Sequence, residues 1–375
     1  MEEETSTAPE ASPVTRIEAT PAQPAVNEAT TVPPVAQAAS TVLPANHWVQ
    51  QDEENPVDTD ADSTYSISDE LSSTASITSS ILRYREINGR TYHAEQGDVQ
   101  YWASNDETQS ESMDINHHVL LLSTNNKLYF APLKDDVHRV LDIGTGTGMW
   151  AIDFADDHPG AEVIGTDISP IQPIWVPPNT KFELEDFTQP WTFPENSFDY
   201  VHMRWLYGSV PDWTKLIREA YRVLKPGGWI ESSEATPLVE SDDNSVLPGS
   251  AMHEWGKLFL EGGDLLGRTF RIIEKDLQRK GMQEAGFDEA SIGQWDFKCP
   301  VGGWSDDPHL KQIGQYVQLT VESDISGYVG FIGKLVAGWS ETEVAIYSAQ
   351  LRRDMRSGKH AYYRQRVVWA QKPLA

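Results

Sequence analysis

The side chains best placed for chemistry gather around Val140-Leu-Asp-Ile-Gly-Thr-Gly-Thr-Gly-Met-Trp150. An apolar run ends in Asp142 and three alternating glycines, Gly144, Gly146 and Gly148, before a helical pattern begins. This order reads as a strand, a tight turn and a helix start, where absent Cβ atoms let the backbone approach a ligand closely. A dinucleotide turn is spaced Gly-x-Gly-x-x-Gly and sets a pyrophosphate on the helix N-terminus. Here Met149 stands where the last such glycine belongs. A carboxylate at Asp142 repels a pyrophosphate and attracts an ammonium. The plain alternative is an ordinary glycine-rich turn. Asp167, 19 residues beyond Gly148, closes a second apolar run and is placed to accept both hydroxyls of a ribose. As a lone acid it would instead serve as a helix cap. Asp186, followed by Phe187, ends a third run and is placed to accept the amino group of a base; a surface-turn acid is the alternative. His202 closes a fourth run and is the candidate general base, against simple packing. Tyr207 and His253 are remoter candidates for that role.

These residues need strands that end side by side. Ala161 to Asp167, Lys181 to Glu185, Ser197 to Arg204 and Trp229 to Ser233 supply four strands after the first, with ligands expected at their C-terminal ends. His158-Pro159-Gly160 stops the helix after Trp150, and Asp212 to Leu224 is an amphipathic helix. Four prolines between Ile168 and Asn179 forbid a helix and make that loop rigid. Pro226-Gly-Gly228 turns the chain tightly into the fifth strand. Beyond it, helices are expected at Met252 to Leu266 and Ile272 to Ala285, a sixth strand at Ala290 to Lys298, and a helical insertion from about Leu310 to Met355 broken at Gly338-Trp339. Tyr362 to Gln371 is the last strand. His117 and His118 invite a metal reading, but neighbours on a helix face different directions and no third ligand lies near, so no metal is expected.

The chain has 375 residues and a formal charge of −28. Fourteen acids against Arg16 place −13 in residues 1–80, and −15 remains for the rest. Such a balance argues against a nucleic-acid partner. The single Cys299 excludes an intramolecular disulfide and a multi-cysteine zinc site. No apolar run approaches the ~18 residues of a membrane span. Residues 1–80, rich in Ala, Pro, Thr, Ser and Glu, read as a disordered leader that cannot bury enough apolar surface to offset its ordering entropy. Residues 81–375 read as one domain, with a ligand-binding half at about 135–235 and a lid half at about 236–360.

The glycine spacing resembles the first motif of class I S-adenosylmethionine-dependent methyltransferases, and Arg222-Val-Leu-Lys-Pro-Gly-Gly-Trp229 resembles another of their signatures. From about Ile81 onward the chain is similar to the fungal LaeA-like, or TAM-domain, methyltransferases. The resemblance rests on Asn88-Gly-Arg-Thr-Tyr-His93, Asn105-Asp-Glu107, Val163-Ile-Gly-Thr-Asp167, Ser169-Pro-Ile-Gln-Pro with Trp175-Val-Pro-Pro-Asn179, and Phe198-Asp-Tyr-Val-His202. It implies a Rossmann-like α/β fold with a seven-stranded, mostly parallel sheet, an antiparallel last strand and helical lid insertions. It implies S-adenosyl-L-methionine as cofactor. Asp142 would hold its amino group, Gly144, Thr145, Gly146 and Gly148 would pass beneath it, Asp167 with Ile168 would meet the ribose, and Asp186, Phe187 and Met203 the adenosine side. Tyr101 or Asn105 would close one flank. The resemblance further implies a regulator of secondary metabolism or development with velvet-type or other protein partners. The opening Met1-Glu-Glu-Glu, unlike a signal peptide, and the want of an apolar span lead to an expected place in the nucleus or cytoplasm. A small-molecule methyltransferase and a cofactor-binding scaffold are the alternatives.

Overall fold

The computed structural model describes residues 40–44, 47, 48, 50, 84–87, 89–93 and 101–374. A turn at Gly89, with φ 72°, joins β1 (Arg85–Ile87) to β2 (Arg90–Tyr92) as an antiparallel hairpin. Helix α1 (Glu107–Ser123) starts where Asp106 accepts a hydrogen bond from the Gln109 N–H at 3.2 Å. The β/α core then follows: β3 (Arg139–Ile143), α2 (Met149–Asp157), β4 (Glu162–Asp167), β5 (Thr180–Leu184), β6 (Phe198–Arg204), α3 (Trp213–Val223) and β7 (Leu224–Ala235). After a two-residue β8 (Glu240–Ser241) come the lid helices α4 (Ala251–Leu266), α5 (Ile272–Lys275) and α6 (Leu277–Ala285). Next are β9 (Gly293–Pro300), α7 (Pro308–Ser323), α8 (Ile325–Ala337), α9 (Glu341–Arg356) and β10 (Ala361–Gln371).

The main sheet runs β5-β4-β3-β6-β7-β10-β8, with β9 also on β10. Pairings among β3 to β7 are parallel, and β10 is antiparallel to β7, β8 and β9. This is the expected Rossmann-like sheet with its antiparallel last strand, extended to eight strands by β8. Alternation along the central strands divides the core. Leu141, Ile143, Val201 and Met203 pack in one cluster, while Val140 and Tyr200 pack with Trp150 and Phe154 of α2 in another.

Two helical expectations are refined. Asp276, at φ 54°, divides the Ile272 to Ala285 stretch. Asp324 ends α7 and caps α8 by accepting from the Gly327 N–H at 3.0 Å, adding a break to the expected one at Gly338. The N-terminal boundary is corrected. Val42 and Trp48 are buried, the Trp48 ring meets Tyr347 edge-on at 5.1 Å, and Ser40 Oγ donates to Glu261 at 2.7 Å. These residues belong to the stretch assigned to disorder, and their few large apolar groups supply the buried area its composition otherwise lacks. Its other residues lie outside the described ones. No described helix is long and apolar enough to cross a membrane.

Candidate active site

Three parallel strands end beside the glycine turn, and their terminal carboxylates share one cleft. Gly144, Gly146 and Gly148 have φ of 65°, 59° and 84°, a left-handed conformation that glycine adopts without steric cost. A Cβ on Gly144 would come within 2.5 Å of Leu206 Cδ2. The turn is tied to its surroundings twice: Asp167 Oδ2 accepts from the Gly146 N–H at 2.8 Å, and Gln172 Nε2 donates to the Gly146 carbonyl at 2.7 Å. The second tie uses the proline-rich loop, whose restricted backbone holds Gln172 in place.

Asp142, Gly144, Thr145, Gly146, Asp167, Ile168, Asp186 and Phe187 all line this cleft, which encloses about 1330 Å³ with its mouth included. Asp142 is held by two donors, Thr145 Oγ1 at 2.6 Å and His202 Nδ1 at 2.7 Å. Burial pushes the His202 imidazole below its usual range, so the neutral ring donates to the carboxylate. Burial lifts the Asp167 carboxyl to about 6, against the backbone N–H groups of Ser169, Gly146 and Ile168 that favour its charged form. Asp186 accepts from the Thr188 N–H at 2.9 Å and its hydroxyl at 2.7 Å.

Three expected site residues lie elsewhere. His202 stacks on Trp150, with ring centroids 3.6 Å apart, beneath Asp142 and away from the cleft lining. Buried and hydrogen-bonded to Asp142, it lines neither the cleft nor the apolar chamber beyond it, and this placement does not support its expected role as general base. Met203 points to the opposite side of the sheet and is fully buried in the core, because strand parity turns it away from His202. Gly148 begins α2, where a Cβ would run into the Phe182 ring; it shapes the turn without lining the cleft.

Tyr101 and Asn105, expected on one flank, do line the cleft. Other lining residues carry no local signal: Asn116 and His117 of α1, Arg204 of β6 and Tyr328 of α8 meet only in the fold. His117 has both ring nitrogens engaged: Nε2 with Asp153 at 2.8 Å and Nδ1 with Arg204 Nη2 at 3.0 Å. Beyond the cleft lies an apolar chamber whose walls include Trp255, Phe259, Met252, Leu351, Met355 and Tyr363. Trp102, Asn116, Trp205, Tyr207 and Tyr328 line both spaces and form the threshold between them. No described residue lining the chamber is Asp, Glu, His, Lys, Arg or Cys.

The left-handed glycines and the acids that line one cleft fit S-adenosylmethionine, and an apolar chamber adjoins that cleft. A methyltransferase-domain family model matches residues 115–290. The methyltransferase pytC of Aspergillus terreus is 36% identical over 80% of this chain and 92% of its own length. The secondary metabolism regulator LAE1 of Cochliobolus heterostrophus is 35% identical over 76% and 94%. The protein-methionine methyltransferase laeA of Emericella nidulans is 31% identical over 78% and 77%. With this sheet order, this glycine turn and these relatives, the chain belongs to the fungal LaeA-like, S-adenosylmethionine-dependent methyltransferases.

Proposed function

We propose that this methyltransferase acts as a regulator in fungal secondary metabolism, together with protein partners of the velvet type, in the nucleus or cytoplasm. The relatives named as regulators support the role. The observation that carries the partner reading is the pair Ile174 and Trp175, each 93% exposed on the proline-rich loop. That loop also lines the cofactor cleft through Ile168, Ser169 and Ile171, so a partner seated on it adjoins the active site. A rigid loop presenting an aromatic residue has little ordering entropy left to lose on binding.

S-Adenosylmethionine supplies a methyl group that is already activated. The chain's own contribution is alignment and exclusion of water: the three strand-end acids fix one reactant, and the threshold aromatics direct the other toward it. Among the described residues, the chamber has no Asp, Glu, His, Lys or Cys in its lining to act as a general base, and burial raises the Tyr207, Tyr328 and Tyr363 hydroxyls above their usual range. It therefore suits an acceptor atom with no proton to lose, such as a thioether sulfur. Aromatic faces also favour a product that gains positive charge. The name of the laeA relative agrees with such an acceptor on protein.

A second reading is a biosynthetic methyltransferase for a small apolar molecule, favoured by the pytC relative and by the chamber itself. One experiment separates them. The purified chain is given methyl-labelled S-adenosylmethionine with a velvet-domain protein in one tube and a metabolite extract in another. Label on methionine of either protein supports the regulatory reading, and label confined to extracted metabolites supports the second. Binding of labelled cofactor with transfer to neither acceptor contradicts both.

A further inference from the structure

We infer that Arg204 binds the carboxylate at the amino-acid end of S-adenosylmethionine, with His117 and Asp153 setting its guanidinium in place. The inference rests on the cofactor assignment and adds to it the residue that reads the second charge of a zwitterion. Asp142 pairs in register with His202, and Arg204 is the next residue of β6 on that same face, about 7 Å further toward the strand's C-terminal end. Both Asp142 and Arg204 line the cleft. A negative group and a positive group thus stand side by side where an ammonium and a carboxylate leave one carbon.

The surroundings of Arg204 lack the partner such a group ordinarily has. Its hydrogen bond among the described residues goes to a neutral ring, His117 Nδ1, at 3.0 Å. An arginine donates only, so Nδ1 accepts and the His117 proton sits on Nε2, directed at Asp153 Oδ2 at 2.8 Å. Burial holds the His117 imidazole below its usual range, which keeps Nδ1 free to accept. The Asp153–His117 pair therefore orients the guanidinium without neutralising it at contact distance. Burial lowers the Arg204 guanidinium to about 10, only partly offset by Asp142 and Asp153 at longer range. A guanidinium left in a concave, poorly solvated place with most of its five N–H groups uncommitted is suited to a bidentate anion. Arg268, the other arginine of the cleft, lies between α4 and α5 and donates to the carbonyl of Ser209, in the loop beyond β6, at 2.7 Å.

Calorimetry with two probes tests this: S-adenosyl-L-homocysteine, and its decarboxylated form S-adenosyl-3-thiopropylamine. The wild-type chain is expected to prefer the first by about 10- to 100-fold, the worth of a charge-assisted pair of hydrogen bonds. In R204M the preference should collapse to near unity, while affinity for the decarboxylated probe stays within about threefold of wild type. R204K, which keeps a point charge without the fork, should show an intermediate preference and serves if R204M does not fold. H117A should reduce the preference without abolishing it, as befits a positioning residue. Equal losses for both probes in R204M would mean that Arg204 only balances Asp142 and Asp153, and would overturn the inference. An unchanged preference in R204M or R204K would overturn it equally. A wild-type chain that binds neither probe would overturn the cofactor assignment beneath it.

Discussion

The proposed ribose contact of Asp167 would make cofactor affinity depend on pH. A carboxylate accepts the two hydroxyls of a ribose best when ionised, and burial has lifted this one to about 6. Affinity for S-adenosylhomocysteine is expected to be flat above pH 7 and to fall about tenfold per pH unit below 6, as the bound state excludes the proton. Asp167→Asn should bind more weakly and lose that slope; calorimetry between pH 5 and 8 checks both. His202→Ala is expected to weaken binding by leaving Asp142 with Thr145 alone, without altering the pH profile of turnover. The acids of this site were legible because each closes an apolar run, and strand ends are where such sheets bind ligands. The facing of His202 was not legible. Strand parity gives it the same face as Asp142, but whether that face opens on a ligand or on a helix is decided by Trp150, which reaches it from α2.

At the scale of elements, the segment after β6 governs the passage between cofactor cleft and chamber. Trp205 holds a left-handed backbone at φ 57°, a conformation that costs a non-glycine residue about 1–3 kcal/mol and persists only where neighbours impose it. Glu234 of β7 imposes it by accepting the Leu206 and Tyr207 N–H groups, both at 3.1 Å. Glu234→Ala leaves two buried donors unpaired and is expected to destabilise by about 2–3 kcal/mol in denaturant unfolding. Acceptor KM should rise more than cofactor affinity falls, since Trp205 and Tyr207 wall the chamber. The segment at Trp48 packs on the lid helices. Its ring packs on Tyr347, whose hydroxyl donates to the Ala251 carbonyl at the start of α4. Trp48→Ala should cost about 3 kcal/mol. The sheet strands, α3 and the Pro226-Gly-Gly turn were readable because local pattern and turn chemistry specify them. The chamber was not, since Trp102, Asn116 and Tyr328 have no mutual spacing in the chain and meet only through tertiary packing.

For the molecule as a whole, buried acids set the direction in which pH moves stability. Burial raises the Glu234 carboxyl to about 8 and the Glu231 carboxyl to about 7. Between pH 6.5 and 8.5 the folded chain therefore binds more protons than the unfolded one, and the sign of the linkage makes stability fall as pH rises. Melting is expected to drop by about 4 °C across that window. Glu234→Gln keeps one acceptor but turns its NH2 toward the other backbone N–H, so it should be about 1–2 kcal/mol less stable than wild type at pH 7 and its melting should fall less between pH 6.5 and 8.5. The same whole-molecule view gives Trp175 a use. Of the 13 tryptophans, all described, it alone is exposed, whereas Trp48, Trp150 and Trp339 are sealed in the interior. Its emission is therefore expected to be the red-most contribution to the protein's intrinsic fluorescence and the most open to a soluble quencher. Any molecule that covers the proline-rich loop is expected to shift that contribution to shorter wavelength and shield it from quenching, so the chain carries its own optical sensor at the most exposed apolar point among the described residues.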